Sequence, residues 1–167
     1  FSAESGYTLS INRLQLTLIA GSDPEFSDPV ELFQGQPNDT TNQHFGGAIQ
    51  ISGDALYATS GDRRCRECAQ SVENYNGKIL RFQIQEDYSL RPHPANQVNT
   101  NTHKEIFSIG HRNPQGIDLV QEFNKIVISE HGPKGGDEVN ILNSGLNYGW
   151  PRVTLGEEYR GGKIGEE

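Results

Sequence analysis

The chain has 167 residues, of which 33% are hydrophobic and 8% aromatic, and it contains 19 glycines and 8 prolines. A formal charge of −8 argues against a nucleic-acid partner, because phosphate binding requires clustered lysine and arginine. No run approaches the roughly 18 apolar residues of a membrane-spanning helix, so we expect no membrane span. The glycine and proline content favours many short strands and turns over helices.

Short alternating runs of apolar residues, separated by turn residues, follow one another along the chain, and this pattern is typical of β-strands. Residues 48–62 and 116–132 predict β-hairpins that turn at Gly53-Asp54 and at Asn124. No stretch holds a helical period for three turns, so we predict an all-β fold. The other strand-like segments are residues 8–18, 77–92 and 137–151.

The two predicted hairpins are copies of each other. Gly47 and Ser60 lie 13 residues apart, as do Gly116 and Ser129, and the copies begin 69 residues apart. Since a minimal propeller blade takes about 40–50 residues, we expect an inserted loop of about twenty residues. The polar segment 92–105 is the candidate. Repeated antiparallel units with one functional loop each are typical of a β-propeller, and a β-sandwich is the alternative.

The length of the chain is too short for a closed ring of blades. Six blades would need well over roughly 200 residues, and this chain holds about two and a half to three. We therefore expect residues 1–167 to form a single partial propeller domain of a longer chain. The absence of methionine and the start at Phe1 also indicate a processed or cut piece. Open blade edges would favour self-association or an assembly that closes the ring.

Cys65 and Cys68 form a C-x-x-C motif. A zinc site would need two further ligands, and a thioredoxin-like site would need a βαβ pattern; neither is visible. A local disulfide and two free thiols both remain open.

A polar cluster precedes each hairpin. In the first, His44 lies ahead of Gly46 and Gly47, two glycines that would let the loop approach a planar ligand because no Cβ intervenes. An imidazole in such a place can accept a proton from a hydroxyl. The alternative is a loop histidine that only makes hydrogen bonds.

The second cluster contains Arg112, Asn113 and Gln115, which supply a guanidinium fork and two amides. Arginine binds carboxylates through two parallel hydrogen bonds, and amides bind carbonyls and ring nitrogens. We therefore predict a binding site for a polar ligand. The alternative is an arginine-capped turn that ties blades together.

The segment that follows the second hairpin is rich in glycine and acidic residues. We expect Gly132 and Pro133 to present carbonyl oxygens in an exposed turn, with Asp137 and Glu138 nearby, a set of oxygens that suits Ca²⁺. The spacing is not that of an EF-hand, and an ordinary turn is the alternative. We interpret Asp62 as the start of an Asx-turn, and residues 147–151 as a packed aromatic corner.

These blocks occur together and in order. "QHFGGAIQISGDALYATSGD", "NGKILRF", "IFSIGHRNPQGI" and "EHGPKGGDEVNILNSGLNYGWP" resemble the soluble PQQ-dependent sugar dehydrogenases, that is, the aldose and glucose/sorbosone dehydrogenase family. The resemblance runs from Gln43 to Pro151. It implies a six-bladed β-propeller, of which this chain covers about half of the blades, with pyrroloquinoline quinone (PQQ) across the top of the central channel.

The resemblance also implies roles for the first two clusters. His44 is expected to be the general base that takes the proton from the anomeric hydroxyl of an aldose. Hydride then passes from the sugar C1 to the quinone, which leaves a lactone. Arg112 is expected to stabilise negative charge on the quinone, and Asn113 and Gln115 are expected to bind the polar edge of the cofactor.

The same resemblance implies that the protein binds calcium. Gly132 and Pro133 are expected to offer main-chain oxygens to the Ca²⁺ that holds the cofactor. Glu138, with the Tyr148 carbonyl, matches a second, structural Ca²⁺ site found in part of the family. The resemblance further implies a redox electron acceptor as partner and a periplasmic or secreted location.

Some features depart from the family pattern. Gln43 stands where the glucose-oxidising branch has an acidic residue, and Ala48 replaces a basic residue. The side chains that clamp the cofactor's carboxylates come from later blades of the family and are absent here. The alternative function is a non-enzymatic propeller of the same superfamily that binds a protein or carbohydrate partner.

Overall fold

Small antiparallel sheets make up nearly all the regular structure, and the computed structural model describes residues 2–3, 6–36, 41–100 and 103–165. The strands are β1 Ser2–Ala3, β2 Gly6–Tyr7, β3 Ser10–Arg13, β4 Leu16–Thr17, β5 Glu25–Phe26, β6 Val30–Gln34, β7 Gly46–Ser52, β8 Ala55–Ser60, β9 Lys78–Ile84, β10 Leu90–Pro92, β11 Ile106–Ile109, β12 Pro114–Val120, β13 Lys125–Glu130 and β14 Glu138–Ile141. Within the described ranges, helical structure is limited to two 3-10 turns, Arg66–Gln70 and Gln121–Phe123, so the all-β prediction is confirmed. None of the described helices is long and apolar enough to cross a membrane.

The largest sheet has the layout of one propeller blade. Strands β7, β8 and β9 pair in sequence order and antiparallel, and β9 then pairs with β11 along its first half and with β10 along its second half. Ser52 pairs with Ala55, so the predicted two-residue turn at Gly53-Asp54 is confirmed. Every residue of β8 is buried, because this strand is covered on both edges by strands and on both faces by side chains.

The second blade is the three-stranded antiparallel sheet β12–β13–β14. Asn124 has a left-handed φ of 49° and joins its first two strands, as predicted. Ser129 pairs with Gly116, whereas Ser60 in the first blade pairs with Gly46, one residue before Gly47. Both hairpins carry a register shift at this end. β-Bulges of this kind re-aim side chains and are frequent next to active sites.

A shared hydrophobic core joins the two blades. One buried cluster takes side chains from both sheets, and Tyr57 and Phe107 meet in it edge to face, with ring centroids 5.3 Å apart. Strand β12 also lies beside β7, which brings the polar ends of the two hairpins next to each other. The buried residues of this cluster are Ala55, Tyr57, Ile79, Phe107, Ile126, Ile128 and Leu142.

The extra length of the first blade lies in two connections rather than one. Residues 61–77 join β8 to β9, and residues 93–105 join β10 to β11, whereas only residues 131–137 join β13 to β14. The predicted insertion at 92–105 corresponds to the second connection, except that Pro92 ends β10. The first connection contains Cys65 and Cys68, which we interpret as an insertion local to this chain. Residues 101–102 of the predicted insertion lie outside the described ranges.

The N-terminal segment 8–18 contributes less to the core than its alternation predicts. Ile11 is buried, but Leu14, Leu16 and Leu18 are 51%, 51% and 75% exposed. The reason is the strand pairing: β3 pairs with β6, whereas β4 pairs with β5 in a separate two-stranded sheet.

Two strands at the margins of the blades leave apolar side chains exposed. Ile49 and Ile51 of β7, and Val139 and Ile141 of β14, are each more than half exposed. The predicted self-association through open blades stays a prediction.

The shared core gives a stability prediction. Ile128 is 1% exposed, so Ile128→Ala should lower the free energy of unfolding by about 2–5 kcal/mol, measured by urea unfolding. Ile141→Ala, at a position that is 58% exposed, is the matched control and should change it by less than about 0.5 kcal/mol. Equal losses in the two variants would show that the blades do not share this core.

Candidate functional site

The predicted base, His44, lies just before β7 and is held by a buried carboxylate. Its Nδ1 lies 2.7 Å from Oδ1 of Asp62, and the two side chains are 16% and 1% exposed. A carboxylate partner keeps the proton on Nδ1 and fixes the ring orientation, so Nε2 carries the lone pair. His44 is therefore an oriented proton acceptor.

Asp62 is fixed from several directions. Its Oδ2 accepts a hydrogen bond from Nε1 of Trp150 at 2.8 Å, and its Oδ1 accepts one from the N–H of Arg64 at 2.7 Å. The second contact confirms the predicted Asx-turn. The sequence analysis did not predict the contact between Asp62 and His44. The strand register contains the signal, because Gly46 pairs with Ser60 and the same antiparallel register places residue 44 opposite residue 62.

The second cluster reaches the same carboxylate through Trp150. The guanidinium carbon of Arg112 lies 5.4 Å from the Trp150 ring centroid, and the Arg112 carbonyl accepts a hydrogen bond from the N–H of Asp62 at 2.7 Å. Arg112 Nη1 also donates to the carbonyl of His131 at 2.9 Å. The structure thus brings His44 and Arg112 to one assembly whose centre is Asp62 and Trp150.

Asn113 connects the two hairpins. Its Oδ1 accepts a hydrogen bond from the N–H of Gly46 at 3.2 Å. Gly46 has a φ of 69°, and a Cβ there would lie 2.8 Å from the carbonyl oxygen of Thr59. The expectation that both glycines make room for a ligand was therefore wrong for Gly46, which is required by packing. Gly47, with a φ of 96°, faces open space.

Backbone strain collects around this assembly. His44, Arg63 and Arg64 all have positive φ values, of 53°, 53° and 60°. The guanidinium of Arg63 lies 3.7 Å from the Phe45 ring centroid and donates to the carbonyls of Thr41 and Gln43, at 2.6 and 3.0 Å. Strained residues persist where the surrounding structure holds them, and they cluster at functional sites.

Three buried polar side chains, Ser108, His111 and Glu130, lie next to the backbone of Arg112. Ser108 Oγ lies 2.9 Å from His111 Nε2, and His111 Nδ1 lies 3.5 Å from Glu130 Oε1. The other oxygen of Glu130 accepts the N–H of Arg112 at 3.0 Å. Ser108 and His111 are 0% exposed, so a substrate does not reach this serine. These three side chains are therefore not a hydrolytic triad.

The Gly132-Pro133 turn is buried, not exposed as predicted. The Pro133 carbonyl accepts a hydrogen bond from the N–H of Gly136 at 2.9 Å, and the N–H of Gly132 donates to Asp137 Oδ1 at 3.0 Å. The C-terminal segment covers the turn, because a Cβ on Gly136 would lie 2.9 Å from the Cα of Gly156.

The remaining predicted site residues lie in two neighbouring cavities and, for Tyr148, beside His111. Gln115 and Glu138 line a cavity of about 280 Å³, together with other polar residues of β13 and the following turn. Glu138 also lines a cavity of about 10 Å³ with Arg112, Gly132 and Pro133. Within the described ranges, no group of three or more His, Cys, Asp or Glu side chains has the geometry of a metal site.

Tyr148 occupies a different position. Its ring stacks on His111 with centroids 4.8 Å apart, and its hydroxyl donates to the carbonyl of Ile141 at 2.7 Å. Ile141 ends β14, whereas Glu138 begins it, about 10 Å away at the usual rise per strand residue. The Tyr148 side chain therefore supports His111.

Lys78 holds the loop that contains Asp62. Its buried Nζ donates to the carbonyls of Cys68, Ala69 and Asn76, the first two at 2.7 and 3.1 Å, and burial lowers the pKa of Lys78 to about 7. Of the two possibilities left open for the cysteines, the structure contains the Cys65–Cys68 disulfide.

Comparison with known proteins identifies relatives along the whole described chain. The family model described as Glucose / Sorbosone dehydrogenase matches residues 2–167. The chain is 38% identical over 136 residues to aldose sugar dehydrogenase YliI of Escherichia coli (strain K12). The aligned region covers 81% of this chain and 36% of that protein. The chain is 31% identical over 146 residues to quinoprotein glucose dehydrogenase B of Acinetobacter calcoaceticus, covering 75% and 29%.

Among solved structures, the PQQ-bound form of aldose sugar dehydrogenase from Streptomyces coelicolor matches with a TM-score of 0.68 and 29% identity. The match covers 92% of this chain and 43% of that one. The resemblance and the β-propeller fold are thus confirmed, and the chain spans about a third of the length of the curated relatives and about half of the solved propellers.

Lys78 gives a prediction for stability against pH. Its pKa in the folded protein, about 7, lies below its usual value, so between the two values the unfolded chain binds more protons and stability rises with pH. The free energy of unfolding of the native protein, measured relative to Lys78→Met by urea unfolding, should therefore rise between pH 7 and 9, by at most about 1.4 kcal/mol per pH unit. Lys125→Met, at an exposed position, is the control and should show no such slope. A flat difference for Lys78→Met would show that Lys78 stays charged in the fold.

Proposed function

The chain belongs to the glucose/sorbosone dehydrogenase family, and we propose that it carries the proton-accepting part of a PQQ- and calcium-dependent aldose dehydrogenase. The observation that supports this is the assembly of His44, Asp62, Trp150 and Arg112. The buried Asp62 carboxylate is bonded to both the His44 imidazole and the Trp150 indole, and the Arg112 guanidinium lies 5.4 Å from the centroid of that indole. An imidazole held through Nδ1 by a carboxylate keeps Nε2 as an acceptor, which is what a general base requires.

In the proposed reaction, His44 Nε2 accepts the proton of the anomeric hydroxyl as the C1–H bond of the aldose breaks. The Asp62 carboxylate stabilises the imidazolium that forms, because it accepts the Nδ1–H at 2.7 Å. The sugar leaves as the lactone. Asp62 is buried and also bound by Trp150, so the carboxylate that orients the imidazole is itself held in place.

The chemistry of the site fits PQQ, a planar anionic quinone. PQQ, when bound, supplies the two-electron acceptor for the hydride. Arg112 supplies N–H donors and a positive charge at the site, and the open space at Gly47 leaves a wall without side-chain atoms. Asn113 and Gln115 are the proposed contacts to its polar edge, with the Asn113 oxygen already engaged by Gly46.

The residues that would hold calcium form part of a shell. Gly132 and Pro133 offer main-chain oxygens, and the Pro133 oxygen keeps one lone pair beyond its turn hydrogen bond. Ca²⁺ takes six to eight oxygens, so the cofactor and other ligands would complete the shell. Glu138 and the Tyr148 carbonyl are proposed for a second calcium ion.

We also propose that the protein works in the periplasm or outside the cell. The Cys65–Cys68 disulfide supports this, because disulfides persist in oxidising compartments. A redox acceptor would then collect the electrons there.

The dehydrogenase proposal is tested with the complete gene product, PQQ and Ca²⁺, by aldose-dependent reduction of a redox dye. His44→Ala should lower kcat by about 10²–10⁴-fold, the usual contribution of a general base. Asp62→Asn should lower it less and change its pH profile, because the imidazole loses the carboxylate that orients it. His93→Ala, in the 93–105 connection, is the matched control and should retain activity. Absence of turnover in the native protein would favour the non-enzymatic propeller that binds a protein or carbohydrate.

The calcium proposal predicts stabilisation by the ion. A ligand that binds only the folded state at one hundred times its Kd adds about 2.7 kcal/mol, which raises Tm by roughly 5–10 °C for a chain of this size. Calorimetry with Ca²⁺, and then with EGTA to reverse the gain, measures this. Mg²⁺ is the control, because it demands a smaller octahedral site. An unchanged Tm in millimolar Ca²⁺ would contradict the assignment.

A further inference from the structure

Arg64 lies directly beside the candidate base. Its backbone N–H donates to the same oxygen, Asp62 Oδ1, that holds His44, and both contacts are 2.7 Å long. Its guanidinium Nη1 donates to Gln43 Oε1 at 2.9 Å. Gln43 and His44 are consecutive, and their side chains contact two residues of the same turn, Arg64 and Asp62 respectively. We call Gln43 and Arg64 together the wall beside His44.

This wall presents hydrogen-bond donors. The oxygen of the Gln43 amide accepts a hydrogen bond from Arg64, and the amide NH₂ supplies two donors. A guanidinium has donors and no acceptor. Both side chains are exposed, so they are accessible from solvent. A group that only accepts hydrogen bonds is the complement of such a wall.

The charge of the wall points the same way. The whole chain carries a formal charge of −8, yet the ion pairs of the described residues include neither Arg64 nor its neighbours Arg63 and Arg112. The Arg63 guanidinium donates to the carbonyls of Thr41 and Gln43. The Arg112 guanidinium donates to the carbonyl of His131 and lies over the Trp150 ring. Of these three arginines, Arg64 is the one whose side chain is exposed, whereas Arg63 and Arg112 are buried.

The backbone shows that Arg64 is not there for packing. Its φ of 60° is strained for a residue with a side chain, and a glycine would adopt it freely. An exposed side chain adds nothing to the core. Strain retained for a cationic side chain beside a proton acceptor indicates a role in binding.

We propose that Arg64 and Gln43 determine substrate choice, and that the site favours aldoses that carry a carboxylate, as a hexuronic acid does, over neutral aldoses. The inference rests on the function proposed above, because it places the C1 hydroxyl at His44 and the carboxylate at Arg64. Arginine binds carboxylates with two parallel hydrogen bonds, a geometry that a neutral hydroxymethyl group does not offer. Gln43 adds its NH₂ as a further donor.

The first test measures kcat/KM of the complete gene product, loaded with PQQ and Ca²⁺, for D-glucuronate and for D-glucose. A charge-assisted hydrogen bond in a solvent-accessible site should favour the uronate by about tenfold. D-glucose 6-phosphate is the third substrate, since a phosphate is also an acceptor-only anion. A preference for the phosphate over the carboxylate would overturn the assignment to uronic acids.

Substitutions at Arg64 and Gln43 test whether these residues cause the preference, measured as the glucuronate-to-glucose ratio of kcat/KM. Arg64→Gly tolerates the left-handed backbone, keeps the N–H that binds Asp62, and should lower the glucuronate-to-glucose ratio about tenfold. Arg64→Lys should keep part of the ratio, because it keeps the charge and loses the fork. Gln43→Glu should abolish it, since the new carboxylate would pair with Arg64. Arg91→Gln, in β10 at the outer edge of the blade, removes the same charge elsewhere and should leave the ratio unchanged.

A binding measurement separates this inference from the proposed chemistry. In the cofactor-free protein, the His44 imidazole NMR signals should shift at lower concentrations of glucuronate than of glucose, and Arg64→Gly should remove the difference. Glucuronate binding that depends on Arg64 without any turnover would keep the specificity role and remove the dehydrogenase. Turnover of glucose with a ratio that ignores Arg64 would keep the dehydrogenase and remove the specificity role.

Discussion

The buried carboxylate of Asp62 is the constraint on which the candidate site depends. A carboxylate removed from water is stable only when it is paired and hydrogen-bonded, and Asp62 finds donors in His44, Trp150 and the N–H of Arg64. Each donor comes from a different part of the chain, so satisfying one charge fixes three segments together. The orientation of the imidazole is a consequence of that requirement.

The connection 61–77 acts as the support of this arrangement. It contains Asp62 and the Cys65–Cys68 disulfide, and Lys78 Nζ donates to three of its carbonyls. The second blade has only seven residues at the equivalent connection, 131–137, and it places a backbone turn there instead. Two copies of one hairpin thus serve different purposes because their connections differ in length.

Where sequence reasoning failed, the cause was a contact with a distant segment. Gly132 and Pro133 read as an exposed turn, but residues around Gly156 cover them. Leu16 alternates as a core strand would, but it pairs with β5, whose two residues are both exposed. Gly46 resembled a position cleared for a ligand, but the carbonyl of Thr59 is the group that excludes a Cβ there. Local patterns do not contain these neighbours.

The sequence by itself determined the all-β architecture, the two hairpins with their turns, and the polar clusters with His44 and Arg112 at the same ends of those hairpins. These features follow from alternation and turn chemistry within about fifteen residues, which is the range over which backbone pairing is local. Only the tertiary structure decided that Asp62 holds His44 and that Trp150, 88 residues later, joins both to Arg112. Burial of a charge selects its partners in space, and no periodicity along the chain records that choice.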